Sequence, residues 1–164
     1  MEEGKSYQLD YNQILEYQAD RYPYLFFDRV LEVIPGKKCI GIKNLSMNEW
    51  FFPVHFPGDP CMPGFLQAEA MTQVGALTIL TLGNNKGKQV LLLSCENLKL
   101  HKKARPGDVL EIHSDLLSYR HGIARCKCYI INKLQDELGG AISSCEVTFT
   151  ISDSEERKLL TPKI

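Results

Sequence analysis

The sequence predicts an α+β protein in which an antiparallel sheet of about six strands wraps around one long buried helix. Three observations carry that expectation. Residues 63–82 are apolar on nearly every helical face, the signature of a helix surrounded by protein. Four long runs follow, over residues 90–100, 109–119, 123–133 and 141–151, separated by Pro106-Gly107-Asp108, His121-Gly122 and Gly139-Gly140. Long runs with short turns between them read as an antiparallel meander. The chain has 164 residues and no internal repeat, the size of a single domain over residues 1–164.

Taken in order, residues 1–10 read as a loose, flexible lead-in. Asp10 is placed to cap a short helix over residues 11–18, with Ile14 and Leu15 on its apolar side. Residues 24–34 are aromatic and aliphatic and stop at Pro35-Gly36, so they predict a strand whose hairpin partner spans residues 38–45. The stretch 48–63 holds Pro53, Pro57, Pro60 and Pro63 and can form neither a regular helix nor a central strand. A loop that long inside a domain is usually functional. Pro63 suits the first turn of the helix that follows, and Gly83-Asn84-Asn85 ends it. The charged tail, residues 152–164, is expected to be flexible. A sheet left open at an edge invites pairing across a two-fold axis, which predicts a dimer.

Composition narrows the function. Hydrophobic residues make up 44% and charged residues 24%, with a formal net charge of −1. No global field of that size recruits nucleic acid or an anionic membrane. The helix over 63–82 is long enough to span a bilayer, but Gln67, Glu69, Thr72, Gln73, Thr78 and Thr81 interrupt it, and membrane insertion is rejected. The opening Met-Glu-Glu-Gly-Lys-Ser is acidic and polar, without the apolar stretch of a signal peptide, so the cytoplasm is the expected location. The six cysteines lie mostly within apolar runs and read as small buried hydrophobes. Cys126-Lys127-Cys128 lacks a second Cys or His pair at zinc-site spacing, so no metal is expected.

Between Asp59 and Lys86 a single charged residue remains, Glu69, near the start of the most hydrophobic helix. A buried carboxylate must be paired, coordinated or protonated, and desolvation raises its pKa toward that of a general acid. The alternative is a structural carboxylate tied to backbone N–H groups at the helix start. His55 sits among aromatic and proline residues in the stiff loop upstream. Together the two supply a base and an acid in unlike surroundings.

The run His55-Phe56-Pro57-Gly58-Asp59-Pro60-Cys61-Met62-Pro63-Gly64, followed by Glu69-Ala70-Met71-Thr72-Gln73, resembles the FabZ-type 3-hydroxyacyl-[acyl-carrier-protein] dehydratases of the hotdog fold. Arg21-Tyr22-Pro23 and Pro106-Gly107-Asp108 also match. The resemblance implies that His55 removes the α-proton of a 3-hydroxyacyl thioester, and that Glu69 protonates the departing hydroxyl. The Gly64 N–H would steady the thioester oxygen, with no cofactor. It also implies an acyl tunnel, for which Phe65, Leu66, Met71 and Gln73 are candidates beside plain core packing. The substrate would arrive on acyl carrier protein or coenzyme A. Lys99, His101, Lys102, Lys103 and Arg105 form the one dense basic cluster, either a carrier-docking patch or a solvated face. A homodimer with shared sites, assembled as a hexamer (a trimer of dimers), is the implied working unit. Val54 stands where the family has glycine, Asp20 where it has histidine and Cys61 where it has an aliphatic residue, departures that fit a specialised acyl substrate. The rival readings are a dehydratase–isomerase, a thioesterase or a polyketide-type dehydratase on the same fold, and a non-catalytic acyl-binding module.

Overall fold

In the computed structural model, which describes residues 1–135 and 140–152, seven antiparallel strands form one sheet around a central helix. The elements run β1 (Tyr7–Leu9), α1 (Tyr11–Tyr17), β2 (Arg29–Ile34), β3 (Lys38–Asn44), α2 (Gly64–Leu80), β4 (Gln89–Leu100), β5 (Val109–Arg120), β6 (Ile123–Asn132) and β7 (Ser143–Ser152). A single 3-10 turn, Gly83–Asn85, follows α2. The sheet order is β1-β2-β3-β5-β6-β7-β4. Six strands are those expected from the sequence. The seventh is β1, which lies in the stretch read as a loose lead-in. It pairs with β2 and buries Leu9, and three residues are too few to show the alternation that marks a strand. The tail expected to be flexible lies outside the described residues apart from Ser152, which closes β7.

Local chemistry explains the boundaries. Asp10 accepts a hydrogen bond from Gln13 N while the Gln13 side chain accepts one from Asp10 N, both at 2.9 Å, a reciprocal capping box. The first strand of the β2–β3 hairpin starts at Arg29 rather than at residue 24. The backbone upstream is satisfied by a side chain of α2 instead of a neighbouring strand: Gln73 Nε2 donates to Tyr24 O at 2.7 Å and Gln73 Oε1 accepts from Phe26 N at 2.9 Å. Such a non-local bond is invisible to pattern reading.

Helix α2 is buried from Gln67 to Leu80 except at Glu69. It lies against β5, β3, β7 and β6, and it approaches the sheet closely at Gly41 of β3. A Cβ there would come within 2.6 Å of Val74 Cγ2, so a side chain at that position would push the helix off the sheet. Cys126 and Cys128 face the helix, with Cys128 Sγ 3.3 Å from Ser114 Oγ. Burial pushes the Cys126 thiol up to about 11, which suits a packing residue and not a reactive one. Among the described residues no three His, Cys, Asp or Glu side chains are grouped to hold a metal ion. No helix among them is long and apolar enough to cross a membrane.

Two strands end the sheet. The β1 edge is three residues long, whereas the β4 edge is twelve. Leu92, Leu93 and Leu100 of β4 are all exposed. A long apolar edge is an aggregation hazard unless a partner covers it.

Candidate active site

The proline-rich stretch upstream of α2 is irregular but anchored. Phe51 and Phe52 are buried and meet edge to face at 4.6 Å. Lys43 of β3 holds the start of the loop through an ion pair with Glu49 at 2.5 Å. His55 N donates to Phe51 O and Cys61 N donates to His55 O, both at 2.9 Å. Met62 N then donates to Ala104 O at 2.8 Å, which ties the end of the loop to the basic segment.

This scaffold fixes the His55 ring. Its Nδ1 lies 2.9 Å from Cys61 O, and a carbonyl oxygen only accepts, so Nδ1 carries the proton. The lone pair is therefore on Nε2, the form a base requires. The Phe56 ring stacks on the imidazole at 4.0 Å. Cys61 Sγ lies 3.5 Å from Nδ1, but its backbone carbonyl does the orienting. Val54 is exposed and leaves the imidazole to these partners.

His55 opens onto a cleft of about 320 Å³ with Cys61, Met62, Gly64, Gln67, Leu100, His101, Lys102 and Lys103. Gly64 begins α2. Pro63, at the cap position, makes no side-chain cap hydrogen bond, and no acidic residue lies in the first turn. Leu66 N and Gln67 N donate to Pro63 O, which leaves the Gly64 and Phe65 N–H groups to meet an anionic oxygen, and the helix dipole favours one. A Cβ on Gly64 would fall 2.3 Å from Leu100 Cδ1, so glycine keeps this helix end open beside β4.

Glu69 lies elsewhere. It lines a separate cleft of about 210 Å³ with Gln18, Asp20, Tyr24, Thr72, Gln73, Ala76, Val90, Leu91 and Leu92. Burial raises its pKa above the usual carboxylate value. Gln73 Nε2, donating to Oε1 at 3.0 Å, pulls it back, and the nearby Asp20 carboxylate pushes it up again. Asp20 is itself raised by burial, against the pull of Arg21. Gln73 is held in turn by Tyr24 and Phe26 on its side chain and by Gln18 on its carbonyl.

The other candidates fall into place around these clefts. Phe65 is 83% exposed and Leu66 is half-buried against the core. Met71 is fully buried, with Cys145 Sγ at 3.6 Å from its sulfur. Lys99 and Lys102 are exposed. Lys103 and Arg105 both pair with Asp59, the latter at 2.8 Å. Reading the residues missed the Cys61 carbonyl and the second carboxyl beside Glu69. Asp20 was visible only as a departure from a family pattern.

An open antiparallel sheet wrapped around one long buried helix, with a histidine in the loop before that helix and a half-buried carboxyl on it, defines a hotdog-type fold. The FabA-like domain family matches residues 19–137. A 3-hydroxyacyl-[acyl-carrier-protein] dehydratase FabZ from Caldicellulosiruptor saccharolyticus is 46% identical over 118 residues, 72% of this chain and 84% of the relative. The Bacillus cereus dehydratase of the same name is 39% identical over 148 residues, 90% of this chain and 99% of that one. The dehydratase heterocomplex ApeI:P of Xenorhabdus doucetiae has the same fold, at a TM-score of 0.74 and 16% identity, over 92% of this chain and 97% of that one. The chain belongs to the FabA-like family, among the FabZ-type dehydratases, which are hydro-lyases.

Proposed function

We propose that this chain dehydrates (3R)-hydroxyacyl thioesters carried on acyl carrier protein to trans-2-enoyl thioesters, in the building of fatty-acid or related acyl chains in the cytoplasm. The observation that carries this reading is the pairing of an imidazole held with Nε2 free and a carboxyl held toward its protonated form. The thioester oxygen accepts from Gly64 N–H, which makes the α-proton acidic by steadying the enolate. His55 Nε2 takes that proton. Glu69 gives its own to the β-hydroxyl as the C–O bond breaks, and water leaves with the electron pair of that bond. The imidazolium then loses its proton and the carboxylate regains one, which restores both groups.

In one protomer the two groups face different clefts, and β4 supplies the remedy. Leu91 and Leu92, near its start, line the Glu69 cleft, while Leu100, at its end, lines the His55 cleft. Two β4 edges paired antiparallel about a two-fold axis set the start of one strand beside the end of the other. Each Glu69 cleft then adjoins the His55 cleft of the second copy, and the exposed leucines of β4 are covered. The dimer is thus the unit that reacts, and three such dimers make the expected hexamer. Lys102 and Lys103 at the mouth of the His55 cleft suit an acidic carrier.

The test is the identity of the product. Incubation of the chain with a 3-hydroxybutyryl thioester on acyl carrier protein should produce enoyl absorbance and water while the thioester survives. Release of free acid with a free thiol would instead assign a thioesterase, and binding without turnover a non-catalytic module.

A further inference from the structure

The cleft that holds Glu69 contains a second carboxyl, Asp20, which the proposed chemistry leaves unused. Two anchors fix the segment that carries it. Gln18, at the end of α1, donates from Nε2 to Gln73 O of α2 at 2.6 Å. Arg21 clasps the same segment, donating from Nη1 to Gln18 O at 2.6 Å and to Asp20 O at 2.8 Å, and from Nη2 to Leu15 O at 3.0 Å. All three of those acceptors are main-chain oxygens. The half-buried Asp20 carboxylate has no hydrogen-bond donor among the described residues, and the Arg21 charge reaches it only through space. A carboxylate held in place without a donor acts on its surroundings through its field.

Glu69 has a use for such a field. Gln73 positions its carboxyl by donating to Oε1 at 3.0 Å, but a bond of that kind favours the charged form and draws the proton off. A like charge in the same cleft opposes that loss. Arg21 decides which carboxyl ionises first, because its charge lies beside Asp20. The pair then sheds one proton from Asp20 and holds the other on Glu69 more firmly, as two interacting carboxyls do. The remaining walls add no opposing charge. From β4 come Val90, Leu91 and Leu92, and from α2 come Thr72, Gln73 and Ala76. The Tyr24 phenol is kept neutral by burial, by Glu69 and by Asp20. In the proposed dimer the second copy's cleft brings a neutral His55 imidazole, with Lys102 and Lys103 at its rim. Of these lysines, Lys103 is already paired with Asp59, and Lys102 is exposed and screened. Docking there excludes water and strengthens the field between the two carboxyls.

We infer that Asp20 is a positioning residue of this site, a carboxylate whose negative charge keeps the proton on Glu69 until the β-hydroxyl takes it. This rests on the dehydratase reading for the fate of the proton, and on the shared cleft alone for the pairing of the two carboxyls. Gln73 and Asp20 thus divide the task, one holding the acid in place and the other holding the proton on it.

The experiment compares the full chain with Asp20→Asn, Asp20→Glu, Glu69→Gln and the double variant carrying Asp20→Asn and Glu69→Gln. Its first readout is the melting temperature, which needs no substrate. At about pH 7 the gain from Glu69→Gln should be smaller in the Asp20→Asn background than in the parent, by about 2 °C or more. A charge on Glu69 is less unfavourable once its like-charged neighbour is gone, and the difference should fade toward about pH 4 as both carboxyls take up protons. The second readout is dehydration of a 3-hydroxybutyryl thioester across pH. Asp20→Asn should match the parent within about two-fold near about pH 6 and fall to about a fifth of it near about pH 9, whereas Asp20→Glu should follow the parent at both. Asp20→Ser removes the same charge should the asparagine variant fail to fold. Equal melting gains in the two backgrounds would overturn the inference, and so would an equal loss of rate at every pH, the mark of a merely structural role. A smaller gain in a chain that releases no enoyl product would keep Asp20 its hold on Glu69 and refute the dehydratase reading. Enoyl product from a chain with equal gains would do the reverse.

Discussion

The loop that holds His55 and the helix that holds Glu69 solve opposite problems by opposite means. The loop has no regular structure, so its backbone does the positioning. The Cys61 carbonyl sets the imidazole, and two buried phenylalanines set the loop. Beyond its first turn the helix has its backbone engaged, so at Glu69 side chains must do the work. Gln73 holds Glu69, and burial beside Asp20 sets its proton affinity. In the proposed mechanism the base is thus oriented by main chain and the acid tuned by its neighbours. The two regions should therefore respond differently to substitution.

The largest effect should come from removing the base. His55→Ala is expected to lower kcat by about three orders of magnitude while leaving the melting temperature within a few degrees, because the ring supports no core packing. A residual rate near the parent's would remove His55 from the chemistry. Glu69→Gln should cost about two to three orders of magnitude in dehydration, and here stability should move as well. The folded-state pKa of Glu69 is raised, so its protonated form suits the fold. That contribution is present at low pH and is lost as pH rises through the raised value. The glutamine variant should accordingly melt above the parent at neutral pH, with a gap that closes toward about pH 4. For the same reason the parent's rate should decline on the alkaline side as Glu69 loses its proton.

Next in size is Gln73→Leu. It frees Glu69 and strands Phe26 N and Tyr24 O, each worth about 1–3 kcal/mol when left unpaired. Thermal unfolding should show a loss of several degrees, and kcat/KM should fall about ten-fold as the acid loses its hold. The smallest effect is expected at Cys61→Ala. The loop uses its carbonyl and not its thiol, so activity should stay within about three-fold of the parent. A large loss there would mean that the sulfur, 3.5 Å from the imidazole, does more than fill space.

The same contrast explains what was legible in the sequence. Helix α2 announced itself by its apolar run, and β4 to β7 by length and turn signals, because these depend on local pattern. The Asp10 cap was legible for the same reason. The start of β2 was not, since Gln73 reaches across from α2 to take the backbone of residues 24–26. Glu69 stood out as the lone charge on an apolar helix, and His55 through its stiff surroundings. Nothing in the residue order could reveal that the two face different clefts, because that separation arises from how the sheet wraps the helix.

The central claim is that one site is assembled from His55 of one copy and Glu69 of another, and subunit mixing tests it most directly. His55→Ala and Glu69→Gln chains, each inactive alone, are unfolded together, refolded at equal concentration and assayed on a 3-hydroxybutyryl thioester. Random pairing makes half of the dimers mixed, and each mixed dimer holds one site with both groups intact. About a quarter of the parent's activity should therefore return. If each chain carried a complete site of its own, mixing would restore nothing, and an inactive mixture containing verified mixed dimers would contradict the account.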